Sequence, residues 1–463
     1  MLLSLGILIF VIVFYCIITE KVASAYATML GALAMAFLGI VNEEEILETI
    51  HSRLEILLLL IGMMIIVSLI SETGVFQWFA IKVVKIVRGD PLKLLILLSI
   101  VTAICSAFLD NVTTILLMAP VSILLAKQLK LDPFPFVMTE VLSSDIGGMA
   151  TLIGDPTQLI IGSEGKISFN EFLFNTAPMT VIALAILLTV VYFTNIRKMQ
   201  VPNTLRAQIM ELESDRILTN KKLLKQSIII LSAVIMGFVL NNFVNKGLSV
   251  ISLSGGILLA FLTEREPKKI FGGVEWDTLF FFIGLFVMIR GIENLGVIKY
   301  IGDKIIELST GNFKVASISI MWLSSIFTSI FGNVANAATF SKIIKTVIPD
   351  FQSVADTKIF WWALSFGSCL GGSITMIGSA TNVVAVSASA KAGCKIDFMK
   401  FFKFGSKIAI LNLIAATVYM YLRYLQFHFV CAKLFLSIGT SFDILVGFGR
   451  PSLLYQRRTN IAS

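Results

Sequence analysis

Four short polar stretches interrupt long apolar runs in this chain, and their residue types are those that hold ions and small solutes. The first is Asp110-Asn111-Val112-Thr113-Thr114. The second runs from Asp145 through Gly147, Gly148, Thr151, Gly154 and Asp155 to Pro156-Thr157-Gln158. The third is Gly332-Asn333-Val334-Ala335-Asn336, followed by Thr339, and the fourth runs from Gly371 through Ser373, Thr375 and Ser379 to Asn382. Carboxylates beside amides and hydroxyls can take a sodium ion or a proton. Amides and hydroxyls without a carboxylate suit neutral hydrogen bonding. Unpaired backbone groups are not tolerated in hydrocarbon, so irregular chain at that depth must line a protein-enclosed cavity. Ionisable side chains there mark an ion or substrate path by default. The pattern predicts a transporter.

The elements that must position these stretches are membrane helices. Of 463 residues, 57% are hydrophobic and 14% charged, far more apolar than a soluble domain of this length requires. Runs of about 18 or more apolar residues recur throughout, long enough to cross a bilayer. The formal net charge is +8, but no basic stripe lies on a soluble domain, which argues against nucleic acid as a partner. Five scattered cysteines without a CxxC pair, and only His51 and His428, argue against a disulfide framework or a zinc site. Residues 1–20 lack a basic leader and a cleavage site and read as a retained first helix. No Gly-x-x-x-x-Gly-Lys-Ser/Thr loop occurs, so ATP would have to be used by a partner ATPase. An intramembrane aspartyl protease would need Gly at 152, where Leu152 stands. The chain is read as a non-enzyme with no cofactor beyond a coupling sodium ion or proton.

The chain divides as follows. Residues 1–53 hold two spans and an outer acidic loop at Asn42-Glu43-Glu44-Glu45, and 54–195 form a first repeat. Residues 196–226 are a charged cytoplasmic linker, 227–276 two scaffold spans, 277–425 a second repeat, and 426–463 a tail that either spans or folds onto a face. Residues 71–90 mix Lys82, Lys85 and Arg88 with Phe76, Trp78 and Phe79, as a helix lying at the interface would. The duplication is direct. A shift of 222 residues places Ile61-Gly62 on Ile283-Gly284, Gly74-Val75 on Gly296-Val297 and Asn111-Val112 on Asn333-Val334. A shift of 224 places 151–158 on 375–382 and Gly147-Gly148 on Gly371-Gly372. Interrupted helices at matching positions of two halves point to a transporter site. Threading the spans outward from a cytoplasmic linker puts Lys82, Lys85, Arg88, Lys127, Lys130, Lys268, Lys391 and Lys403 on the inside only if the halves are inverted.

Asp155-Pro156-Thr157-Gln158 has the form of a helix start, with Asp as N-cap, Pro at the first helical position and Gln three after the cap. Asp155 therefore either caps only or also binds a cation, since capping uses part of its lone pairs. Ser379-Ala380-Thr381-Asn382 can cap in the same way. Near Asp110, Asn111, Thr113 or Thr114 can serve as the cap and leave that carboxylate free. Glu140 and Asp145 suit a water-filled vestibule. Asp110, Glu140, Asp145 and Asp155 align with Gly332, Leu364, Cys369 and Ser379, so negative charge is concentrated in the first half. Arg290 can pair with Glu293 or attract an anion.

FLDNVTTILLMAP (108–120), GGMATLIGDPTQLIIGS (147–163) and GGSITMIGSATNVVAVSASAKAG (371–393) resemble signatures of the arsenite-permease and NhaD-type sodium–proton antiporter family. That family lies within the ion-transporter superfamily, which also includes the P protein and sodium-coupled carboxylate carriers. The resemblance implies an all-α polytopic membrane protein of two inverted-topology repeats with re-entrant hairpins and broken helices. It also implies a homodimer in the cell (inner or plasma) membrane and elevator-like movement. The expected substrate- and ion-binding residues are Asp110, Asn111, Thr113, Thr114, Thr151, Gly154, Asp155, Asn333, Asn336, Thr375, Ser379 and Asn382, with sodium at Asp110, Asn111 and Asp155. The second tip departs from the family's acidic pattern, reading Gly332-Asn333-Val334-Ala335-Asn336. The expected function is secondary transport of a small inorganic ion or oxyanion, by sodium–proton exchange or arsenite/anion efflux. The alternative is a sodium-coupled di- or tricarboxylate carrier of the citrate type.

Overall fold

The computed structural model describes residues 2–19, 22–195, 199, 201–210, 218–241, 246–263, 265–351 and 356–425. The tail at 426–463, and Arg197, Lys198, Glu211, Glu213, Asp215 and Arg216 of the linker, lie outside these residues. Among the described residues the secondary structure is helical, with no strand. Contacts divide the chain into a unit Met1–Thr417 and a second unit from Val418. The described part of the second ends in a π-turn, Tyr421–Leu425, where Arg423 Nη1 donates to Tyr419 Oη at 2.7 Å.

In the first half, α1 (Leu2–Ile18), α2 (Ser24–Phe37), α3 (Glu43–Ser71) and α4 (Val75–Ile86) precede the hairpin α5 (Pro91–Phe108) and α6 (Asn111–Gln128). The interrupted helix α7 (Phe134–Gly148) and α8 (Pro156–Glu164) follows, and α9 (Phe169–Asn195) closes the half. A short α10 (Asn203–Met210) leads into the second half. There α11 (Lys221–Val239), α12 (Leu248–Leu262), α13 (Pro267–Gly272), α14 (Trp276–Asn294) and α15 (Val297–Ser309) repeat the opening. The hairpin α16 (Phe313–Phe331) and α17 (Asn333–Phe351), the broken pair α18 (Ile359–Gly372) and α19 (Ala380–Lys391), and α20 (Phe398–Met420) complete it. Seven of these helices are long and apolar enough to cross a membrane, or eight with α14 and α15 as one span bent by 68°. The expected fold class stands: a polytopic helical membrane protein of two inverted repeats with hairpins and broken helices.

Two boundaries move. The acidic stretch expected as an outer loop is the start of α3. Asn42 accepts from Glu45 N at 2.8 Å while the Glu45 side chain accepts from Asn42 N at 3.0 Å. This capping box, and three glutamates at the positive end of the helix dipole, extend α3 well before Leu54. The linker is also shorter than expected at its far end, because Asn220 accepts from Leu223 N and starts α11 at Lys221.

The halves exchange helices, since α12 packs on α3 and α2 packs on α14. Both crossings rest on a glycine. A Cβ at Gly62 would stand 2.5 Å from Leu253 N and 2.7 Å from Ser252 O. One at Gly284 would stand 2.6 Å from Thr28 C and 2.7 Å from Met29 N. Apolar helices gain nothing from hiding in each other once in lipid, so close backbone approach at small residues holds them together. Thr28 and Ser252 are 224 residues apart, so the correspondence between the halves also takes in α1–α2 and α11–α12, outside 54–195 and 277–425. Replacing Gly62 by Val is expected to destabilise the protein by about 3 kcal/mol through overpacking. Thermal unfolding of the purified protein in detergent measures this. Gly272→Ala, where an added Cβ meets nothing, is the matched control and should unfold with the wild type.

Candidate functional site at the meeting of the hairpin tips

Each hairpin turns in one or two residues. α5 ends as Leu109 becomes extended, and Asp110 then caps α6, its Oδ2 accepting from Thr113 N at 2.9 Å and Thr113 Oγ1 at 3.2 Å. Thr114 Oγ1 donates to the Asp110 carbonyl at 2.9 Å. Asp110 is thus the cap itself, contrary to the expectation that a neighbour would fill that role. Thr113 fails to replace it because its hydroxyl donates to the same carboxylate. In the second hairpin Gly332 turns the chain at φ 86° and ψ 156°, a conformation reserved for glycine, and Asn333 begins α17.

The helix breaks are pinned to the hairpins by matching contacts. Gly147 packs on the backbone of Ala103, and Gly371 on that of Ser325. Thr151 Oγ1 donates to the Ala107 carbonyl, and Thr375 Oγ1 to the Ser329 carbonyl at 2.5 Å. Gly154 sits so close to Ser106 and Gly148 that a Cβ would lie 2.7 Å from Ser106 O. In the second break Asn382 Nδ2 donates to the Gly372 and Thr375 carbonyls, both at 2.8 Å. Of the expected site residues, then, Thr151, Gly154, Thr375 and Asn382 shape the breaks. Asn336 lies apart, donating to Ser368 Oγ at 2.6 Å.

Of the remaining residues, Asn111 and Asn333 converge on Asp155. Its Oδ1 caps α8, accepting from Thr157 N at 2.7 Å. Its Oδ2 accepts from Asn111 Nδ2 and from Asn333 Nδ2, each at 2.9 Å. One carboxylate, 1% exposed, therefore joins a broken helix to the tips of both hairpins. Asn333 is held in turn by its own N–H, which donates to the Gly378 carbonyl at 3.0 Å. Capping and participation in the polar junction coexist at Asp155.

Expectations for four residues are corrected here. Ser379 stands at the start of α19 but makes no side-chain cap; its Oγ donates to Asp145 Oδ1 at 3.0 Å. Asp145, expected in a vestibule, is 2% exposed and belongs to the junction, and among the described residues its Oδ2 has no hydrogen-bond partner. Glu140 is buried as well, accepting from Ser122 Oγ among the apolar side chains between α6 and α7. Gln158, expected to complete a capping box, reaches across to α18 instead. Its Nε2 donates to Cys369 Sγ at 2.7 Å and its Oε1 accepts from Ser365 Oγ at 2.7 Å. The sequence signal for both Asp145 and Gln158 was their alignment with polar or small partners, Cys369 and Asn382, in the other half.

Electrostatically the junction is one-sided. Among the described residues the hydrogen-bond partners of Asp110, Asp145 and Asp155 are amides, hydroxyls and backbone N–H groups, with no Lys or Arg among them. Buried ionised carboxylates are very costly unless a cation or proton neutralises them. Among the described residues no group of three or more His, Cys, Asp or Glu side chains is arranged to hold a metal ion. Basic residues gather elsewhere. A cavity of about 330 Å³ between α3, α8, α14 and α17 is lined by Arg53, Arg290, Lys342 and Lys345 together with Glu48 and Glu164. Arg53 and Lys345 both pair with Glu164, and Lys342 pairs with Glu293 at 3.0 Å. Arg290 meets Glu293 at 3.6 Å, as the sequence suggested, and Glu45 at 3.3 Å.

Residues 14–367 match the family described as citrate transporter (CitMHS). The chain is 32% identical to a 46 kDa membrane protein of Mycobacterium leprae over 91% of this chain and 99% of that protein. It is 33% identical to an uncharacterized transporter of Mycobacterium tuberculosis over 90% of this chain and 97% of the relative. The P protein of Mus musculus is 30% identical over 89% of this chain, which spans 59% of that longer protein. Among solved structures, the YdaH transporter of Alcanivorax borkumensis, described as having an unusual topology, superposes with a TM-score of 0.58. That match covers 89% of this chain and 98% of the other at 10% identity, a likeness of fold.

Proposed function

The chain belongs to the citrate transporter family, and on that premise we propose that this secondary membrane transporter couples sodium or protons to solute movement at the Asp155 junction. The observation that carries the reading is the bridge from Asp155 to Asn111 and Asn333. A carboxylate that ties both hairpin tips together links occupancy of the site to the positions of both halves. Three carboxylates without a basic partner among the described residues call for a cation or protons, so exchange of sodium for protons, movement of a small inorganic ion, is the reading that the junction's chemistry favours. Asp110, Asn111 and Asp155 are the proposed sodium ligands. The charged contacts Arg53–Glu164 and Lys342–Glu293 join α3 and α14 to α8 and α17. They are the contacts that elevator-like movement of hairpins and broken helices against a scaffold, within a homodimer, would make and break.

Transport of a carboxylate such as citrate is the second reading. The family description and the four basic side chains around the 330 Å³ cavity favour it. In that case the junction holds the coupling cation and the anion approaches past the basic cavity. Purified protein in vesicles, with pH and sodium gradients imposed separately, tests both. Proton movement on adding sodium supports exchange, movement only on adding arsenite supports efflux of that small inorganic solute, and movement only on adding citrate supports carboxylate transport. No coupled flux under any of these gradients would overturn the proposal.

The inverted arrangement makes a separate prediction about access. Single cysteines at Thr204 and Lys268 should react with a membrane-impermeant reagent from the cytoplasm, and cysteines at Lys166 and Lys304 from outside. Reaction of both sets from one face would remove the topology on which the site is built.

A further inference from the structure

A second cavity, of about 420 Å³, lies away from the junction, between the end of α9, the loop before α7 and the first turns of α20. Its floor is apolar, with Phe134, Val190, Phe404 and Ile408 among its lining residues. Its rim carries Lys400, Lys403 and Lys407, spaced to share one face of α20. Lys400 is occupied. It stands 4.0 Å from the Phe134 ring centroid and 3.5 Å from Asp132 Oδ2. Lys403 and Lys407 are exposed, and no ion pair is made by either among the described residues. A lysine in the opening turn of a helix runs against its dipole, so helix stability does not explain Lys400. All the elements around the cavity meet it at their ends: α9 with its last turns, α7 and α20 with their first. The cavity therefore opens at the depth of the lipid headgroups, where long basic side chains meet phosphate while apolar walls meet acyl chain.

We propose that this cavity binds one anionic phospholipid, its phosphate on Lys403 and Lys407 and the start of an acyl chain on the Phe134–Phe404–Ile408 floor. Two exposed lysines alone would hold a free phosphate weakly, because surface ion pairs are worth little in water. The apolar floor beneath them is what selects a lipid. The site lies on the end of the protein that the charge distribution assigns to the cytoplasm, so the ligand is an inner-leaflet lipid.

The test uses the full chain purified in detergent and equilibrated with equal amounts of phosphatidylglycerol and phosphatidylcholine, with bound lipid counted by native mass spectrometry. Wild type should retain phosphatidylglycerol selectively. Lys403→Gln/Lys407→Gln should lower that selectivity about tenfold. Thr194→Trp, which fills the cavity without changing charge, should lower total retained lipid, and excess inorganic phosphate should displace none. Equal retention of the two lipids by wild type would overturn the proposal, as would displacement by phosphate, which would mark a free-anion site. Unchanged lipid binding in Thr194→Trp would overturn it as well, since the lysines would then act as surface charge alone.

Discussion

In Asp155→Asn, coupled uptake should fall by about 100-fold or more while the protein still reaches the membrane folded, because the bonds from Asn111 and Asn333 lose the charge that makes such bonds worth about 1.5–3 rather than about 1 kcal/mol each. Asn and Asp are comparable N-caps, and on the sequence alone this substitution looks harmless to structure. The geometry changes that expectation. One oxygen of Asp155 caps α8 while the other accepts from both Asn111 and Asn333. An asparagine has a single side-chain oxygen. If it caps, its amide group faces two other amide donors and the hairpin tips lose their common anchor. If it turns to the tips, α8 loses its cap. Either way we expect a stability loss of about 1–3 kcal/mol in addition to the loss of coupling. Uptake and unfolding measured on the same preparation separate the two effects. Near-normal uptake by a well-folded Asp155→Asn protein would mean that this carboxylate has a structural role only.

Asp110→Asn should behave differently, losing proton-coupled flux with little loss of stability. Here the carboxylate accepts from a single residue, Thr113, through its N–H and hydroxyl, both at Oδ2. An asparagine oxygen can keep both bonds, so the cap survives and the charge alone is removed. The predicted signature is a normal unfolding profile with proton movement reduced to background in vesicles. Placing the acid in the opposite hairpin, as Gly332→Asp in the same background, should not restore it. Gly332 has φ 86°, so any other residue there strains the turn that presents Asn333. Unchanged coupling in Asp110→Asn would pass the role to Asp145, whose buried Oδ2 has no hydrogen-bond partner among the described residues.

Much of the fold was legible because its constraints are local or periodic. Span-length apolar runs, a repeat at 222–224 residues and Pro156 at the first position of α8 are all carried by neighbouring residues, and the structure places α8 at Pro156. The α3 start was misread for a definable reason. Three glutamates after Asn42 look like a loop when counted as charge, but the same residues form a capping box when read by spacing. The junction was only half legible. Asp155, Asn111 and Asn333 stood out as polar residues in apolar surroundings, whereas their shared contact lies between halves of the chain and has no local signature. Asp145 and Gln158 were misplaced for that same reason, since their partners Ser379, Ser365 and Cys369 are more than 200 positions away. Ser379 had the residue type of a cap, but its hydroxyl is turned to donate to the Asp145 carboxylate, a charge-assisted bond stronger than a neutral cap.

The central claim is that cation and proton share the carboxylates at this junction, and proton release on binding tests it most directly. Sodium is titrated into purified protein by calorimetry in buffers of different ionisation enthalpy, which counts the protons released per sodium bound. The account predicts release by wild type, and neither saturable sodium binding nor proton release in Asp155→Asn. In Asp110→Asn the proton count should fall to zero. Equal proton release from wild type and both variants, or sodium binding to wild type without any release, would contradict it.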